Sequence, residues 1–102
     1  MIKEVDGKEF ERVINTDGTV LVEFYASWCS TCQVMAPTIE KIAEENPNIT
    51  IVKMSIETAP DITAKYRVKS VPTILFFRGG EIVKRIVGML EEDELKEIIY
   101  HV

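Results

Sequence analysis

The sequence predicts an α/β fold: a central mixed five-stranded sheet, three parallel strands plus an antiparallel hairpin, flanked by four helices. Three observations carry that expectation. Short runs rich in Val, Ile, Leu, Phe and Tyr alternate with segments whose apolar residues recur at helical spacing. Two of the runs, Thr73–Phe77 and Ile82–Val87, are joined across Arg78-Gly79-Gly80-Glu81, a strong hairpin signal. The chain also has 102 residues of which 46% are apolar, the size and composition of one domain with its own core, so residues 1–102 are read as a single domain.

Taken in order, Ile2–Val5 reads as a short opening strand. Asp6 with Glu9 three residues later has the form of a capping box, and Phe10, Val13 and Ile14 then recur at helical spacing. Asp17-Gly18 turns the chain into Thr19–Ala26, a strand apolar enough to be buried on both faces and interrupted only by Glu23. From Cys29 to about Asn46 the pattern is helical, with Val34, Met35, Ile39, Ile42 and Ala43 as its apolar side. Pro37 inside it predicts a kink, because proline lacks the backbone donor and crowds the preceding turn. Asn46-Pro47-Asn48 ends that helix, and Ile49–Ile56 is the next strand, with Lys53 in its middle. Pro60, suited to a first helical turn, opens a short helix to about Tyr66. After the hairpin, Gly88 breaks the strand, and Leu95, Ile98, Ile99 and Val102 space a final amphipathic helix. In the order βαβαβαββα the crossover-linked strands run parallel and the helices cover both faces of the sheet.

Charge narrows the function classes. Twelve Lys and Arg against 17 Asp and Glu give a net charge of −5, with both signs scattered and no basic stripe, so no nucleic-acid surface is expected. The first residues, Met1 to Asp6, lack the apolar core of a signal peptide. No apolar stretch approaches the roughly 20 residues needed to span a bilayer. The expectation is a cytoplasmic monomer with no membrane segment.

The chain holds only two cysteines, in Trp28-Cys29-Ser30-Thr31-Cys32. If a helix begins at Cys29, both sulfurs fall within one turn, and Cys29 meets the free N–H groups and positive dipole end that favour a thiolate. A thiolate is the species that attacks disulfides. Three readings compete: a structural staple, half a metal site and a redox pair. Closing so short a loop stabilises a fold by only about 2 kcal/mol, and a chain of this size does not need it. Two thiolates supply half of a tetrahedral zinc site, and the one histidine, His101, lies at the far C-terminus. In a reducing cytosol a close pair points to redox chemistry or metal rather than a permanent bridge. Its place, where a strand runs into a helix, is the carboxyl edge at which open α/β sheets put their sites.

Val22-Glu23-Phe24-Tyr25-Ala26-Ser27-Trp28-Cys29, then Cys32, then Ala36-Pro37, resembles the strand, active site and kinked helix of the thioredoxin family. Lys53, Val71-Pro72-Thr73 and Gly88 extend the resemblance over nearly the whole chain, in the right order. It implies the thioredoxin fold and a protein-disulfide reductase cycling between a Cys29/Cys32 dithiol and disulfide. Cys29 is then the exposed nucleophile and Cys32 the resolving thiol. Glu23, an acid within an apolar strand, must raise its pKa or find a partner. The resemblance puts it beneath the disulfide, where it moves the proton of Cys32, and puts Lys53 near it. Pro72 is expected to follow a cis peptide bond that brings the Val71 backbone beside Cys29, where an extended substrate strand can pair. Trp28, Ile56, Val71, Pro72, Val87, Gly88 and Met89 form the expected docking surface for disulfide-bearing protein substrates. No cofactor is expected to bind; reducing equivalents are to come from a thioredoxin reductase drawing on NADPH or ferredoxin.

The chain departs from the family at Ser30-Thr31, where Gly-Pro is usual, and at Glu23, where aspartate is more usual. Two hydroxyls beside the thiolate favour the reduced form and predict a more oxidising couple. A disulfide isomerase or oxidase-like variant is therefore one alternative. A non-catalytic binding module built on the same fold is another.

Overall fold

The computed structural model describes residues 2–102. In chain order the elements are β1 (Lys3–Glu4), α1 (Gly7–Ile14), β2 (Thr19–Tyr25), α2 (Ser30–Glu45), β3 (Thr50–Ser55), α3 (Pro60–Lys65), β4 (Thr73–Arg78), β5 (Glu81–Val87) and α4 (Glu92–His101). They form one five-stranded sheet in the order β1-β3-β2-β4-β5. β1, β3 and β2 run parallel, and β4 and β5 antiparallel, the mixed arrangement expected from the crossovers and the hairpin. The opening strand keeps only two residues of the expected four, since it pairs on one side alone, at Lys3 with Val52 and Glu4 with Lys53.

Local chemistry accounts for the element ends. Asp6 caps α1: its Oδ1 accepts the Glu9 N–H at 2.8 Å while its own N–H donates to Glu9 Oε1 at 3.4 Å. Between β4 and β5 the two-residue turn places Gly79 at φ 60° and Gly80 at φ 82°, the doubly positive turn that matches strand twist and that glycine adopts without strain. α2 runs from Ser30 to Glu45 with Pro37 inside it rather than at an end.

Strand alternation divides the interior between the two faces. Val20, Val22 and Phe24 of β2 join Phe10 and Ile14 of α1 in one core, while Leu21 joins Met35, Ile39 and Ile42 of α2 and Leu95 of α4 in the other. Successive side chains point to opposite faces, so Glu23, two residues from Leu21, is on the α2 side. Lys53 of β3 is on that side too, two residues from Ile51 and in direct register with Glu23. The expected apolar side of α2 needs one correction. Val34 is 64% exposed, because it lies one position from Met35 and so about 100° around the helix from the buried stripe.

Candidate redox site

Cys29 and Cys32 form a disulfide at the junction of β2 and α2, with their Cα atoms 5.3 Å apart. Cys29 is the N-cap of α2, and its Sγ accepts the Cys32 N–H at 3.1 Å. The first turn of the helix thus already aims a backbone donor at the sulfur that would carry a negative charge on reduction. Thr31 Oγ1 lies 3.3 Å from the same sulfur. Of the two hydroxyls that replace Gly-Pro, the threonine's makes the contact, and both residues are exposed.

The expectation of an exposed Cys29 is not met. Both cysteines are only 5% exposed. Tyr25, Ala26, Ile56 and Val71 pack around them. The cover comes from the ends of β2 and β3 and from the segment before β4, which converge on one sheet edge. The Val71–Pro72 bond is cis, the isomer that the resemblance implies. The Gly88 N–H donates to the Pro72 carbonyl at 2.9 Å, tying the segment before β4 to the end of β5. Around this centre Trp28 is 69% exposed, and Val87 and Met89 are exposed as well, while Ile56, Val71 and Gly88 are half-buried and Pro72 is buried. The exposed apolar surface therefore belongs to the flanks and not to the sulfur.

Beneath the disulfide lies a cleft of about 390 Å³, lined by Glu23, Cys32 and Lys53 together with Tyr25, Gln33 and Glu40. Glu23 is 4% exposed. Burial pushes its carboxyl up to about 7, against a smaller opposing pull from the Lys53 ammonium. A buried carboxyl that changes charge near neutrality, sharing a cleft with the inner sulfur, is suited to taking up and returning a proton. The cleft is also large enough to hold water between the two groups.

Three more residues complete the site. Tyr25 donates its hydroxyl proton to Glu4 Oε1 at 2.5 Å, and the Lys53 Nζ sits 5.4 Å from the Tyr25 ring centroid. Burial first, and then the bond to Glu4, push the Tyr25 phenol up to about 12. Glu57 accepts the Ser27 N–H at 2.8 Å and faces the Ser27 hydroxyl at 3.1 Å, holding the loop that carries Trp28. Sequence reasoning passed over Glu57, but register contains it. Tyr25 pairs with Ser55 in the parallel β2/β3 ladder, and two residues further along each chain stand Ser27 and Glu57. Among the described residues no group of three or more His, Cys, Asp or Glu is arranged to hold a metal ion.

Comparison with known proteins agrees with this geometry. A family model described as Thioredoxin matches residues 1–101. The chain is 32% identical over 99 residues to a thioredoxin of Mycoplasmoides gallisepticum, covering 96% of this chain and 99% of that one. It is 41% identical over 88 residues to a bifunctional thioredoxin reductase/thioredoxin of Mycobacterium leprae, covering 85% of this chain and 19% of the longer protein. Among solved structures, a mutant thioredoxin from Halobacterium salinarum superposes with a TM-score of 0.89 at 32% identity, over 98% of this chain and 88% of that one.

Proposed function

This chain belongs to the thioredoxin family and is a thiol–disulfide oxidoreductase, and from that premise we propose that it reduces protein disulfides, with Cys29 attacking and Cys32 resolving. The supporting observation is the placement of Cys29 as the N-cap of α2, with the Cys32 N–H and Thr31 hydroxyl against its sulfur. The Cys29 thiolate attacks one sulfur of the substrate disulfide, so a mixed disulfide forms and the other substrate thiolate leaves to take a proton. Glu23 removes the Cys32 proton, directly or through a water in the shared cleft, and Lys53 tempers the charge that Glu23 carries. The Cys32 thiolate then attacks the Cys29 sulfur and releases the reduced substrate. Two electrons have passed from the dithiol to the substrate, and a thioredoxin reductase returns them from NADPH or ferredoxin, with solvent supplying the protons the donor does not carry. Trp28, Ile56, Val71, Val87 and Met89 form the surface on which the substrate segment lies, with Pro72 and Gly88 setting its shape. Reduction of insulin by dithiothreitol tests this reading. The protein should accelerate precipitation of the insulin B chain, whereas a binding module without redox activity would leave the rate at that of dithiothreitol alone.

A second reading concerns direction, and the 3.3 Å contact between Thr31 and Cys29 favours it. A hydroxyl hydrogen bond to the thiolate stabilises the reduced form and makes the couple more oxidising. Replacing Thr31 with valine, or Ser30-Thr31 with Gly-Pro, should lower the reduction potential by about 30 mV, the equivalent of one charge-assisted bond in a two-electron couple. A glutathione redox titration measures it. A potential that stays level or rises in both variants would remove the hydroxyl from the account.

A further inference from the structure

One groove beside the redox site is lined by cations, although the whole chain has a net charge of −5. Arg67, Lys69, Ser70, Thr73, Arg85 and Val87 surround a depression of about 510 Å³ with no carboxylate in its lining. Among the described residues the ion pairs are made by Lys3, Arg12, Lys41, Lys65, Lys96 and His101, none of which lines this groove. Arg85 is fixed across it, its Nη2 donating to the Tyr66 carbonyl at 2.6 Å. Arg67 holds the left-handed backbone region at φ 55°, uncommon for a side chain of its size. All three cations are exposed.

The groove is continuous with the proposed docking surface. Thr73 and Val87, which line it, pair across β4 and β5. They directly follow Val71-Pro72 and precede Gly88, the segments tied together by the Gly88–Pro72 hydrogen bond. An extended peptide passing over Val71 advances about 3.3 Å per residue, so side chains a few positions from its attacked cysteine reach the groove.

We propose that this groove is a specificity-determining subsite: Arg67, Lys69 and Arg85 receive the carboxylates of an acidic segment flanking the disulfide of a protein substrate. The inference rests on the disulfide-reductase reading above. Among the described residues these cations make no ion pair, so their charge is available to an incoming acid even with Arg85 held by the Tyr66 carbonyl, and complementary charge at the rim of a docking surface raises encounter rate and selects partners. A nucleic acid suits the groove less well, because a duplex or long single strand would bring its phosphates against the negative remainder of the protein.

Two synthetic peptide disulfides test the proposal, identical around their cystine and flanked by Asp-Glu in one and Asn-Gln in the other. At low ionic strength kcat/KM for the acidic peptide should exceed that for the neutral one about fivefold, the combined size of two exposed charge pairs. The preference should vanish near 1 M salt, where the screening length is about 3 Å. It should also collapse in R67G/K69Q and, separately, fall in R85Q, with both variants checked for folding by circular dichroism. Equal rates for the two peptides in the unmodified protein at low salt would overturn the subsite while leaving the reductase reading in place. Failure to reduce either peptide would overturn the reductase reading instead. Stronger inhibition by a single-stranded DNA than by a cysteine-free acidic peptide of equal charge would make the groove a nucleic-acid site and would also sink the proposal.

Discussion

Replacing Glu23 with glutamine should stabilise the folded protein by about 3 kcal/mol at about pH 8.5 and, at the same time, slow its turnover. The carboxyl is raised from 4.5 to about 7 by burial, so below pH 4.5 it is protonated in both folded and unfolded chains and contributes nothing to the pH dependence. Between 4.5 and about 7 the unfolded chain releases this proton while the folded protein keeps it, and stability falls as pH rises. Above about 7 the folded protein holds a buried carboxylate and the loss is complete. Glutamine has nearly the same shape and no charge, so the variant should lack this decline. Urea unfolding of the oxidised protein from pH 4 to 9 would check the sign: the gap between variant and parent should open with rising pH. A gap that is constant over the range, or that closes, would mean that Glu23 is not held neutral by the fold. Catalysis should move the other way. Without a proton acceptor in the cleft, release of the mixed disulfide at neutral pH should slow by about a hundredfold, the lower end of what a positioned base contributes.

The cysteine variants should have the largest effect on activity, and the two should differ in kind. Cys29→Ser leaves a hydroxyl at the N-cap of α2, which still accepts the helix N–H but cannot form a disulfide bond, so insulin reduction should drop to background. Cys32→Ser keeps the attacking sulfur and removes the resolving one. It should react once with a disulfide peptide and stall as a stable mixed disulfide, visible as an adduct in intact-mass spectra. Loss of all reaction in Cys32→Ser would reverse the assigned order of attack. Because the Cys29–Cys32 loop is short, neither change should unfold a protein whose stability comes from two apolar cores.

Much of this site was legible in the chain because strands have a period of two. Leu21 and Ile51 belong to the core under α2, so parity alone brings Glu23 and Lys53 to the same face beneath the helix that carries Cys32. The capping box at Asp6 and the Gly79-Gly80 turn were legible for a similar reason, since each is a local hydrogen-bonding or dihedral requirement written into adjacent residues. The resemblance places Ile56 and Val71 near Cys29, but their burying of its sulfur is not legible, because it depends on how closely the ends of β2 and β3 and the segment before β4 converge. The cationic groove stayed hidden likewise: Arg67 and Lys69 are separated from Arg85 by the whole of β4 and the hairpin turn, and a scattered charge pattern gave no sign that they converge. Val34 falls outside the buried stripe because helical spacing around a proline leaves the edge of an apolar stripe loosely defined.

The central claim is that Cys29 is the nucleophile because its thiolate is held by the start of α2, the Cys32 N–H and the Thr31 hydroxyl. Limiting alkylation of the fully reduced protein by iodoacetamide over a range of pH, with the modified peptides read by mass spectrometry, tests that most directly. The account predicts label on Cys29 before Cys32, already at pH values where an ordinary cysteine remains a thiol, and a shift of that labelling to higher pH in Thr31→Val. Equal labelling of the two sulfurs, or prior labelling of Cys32, would contradict it.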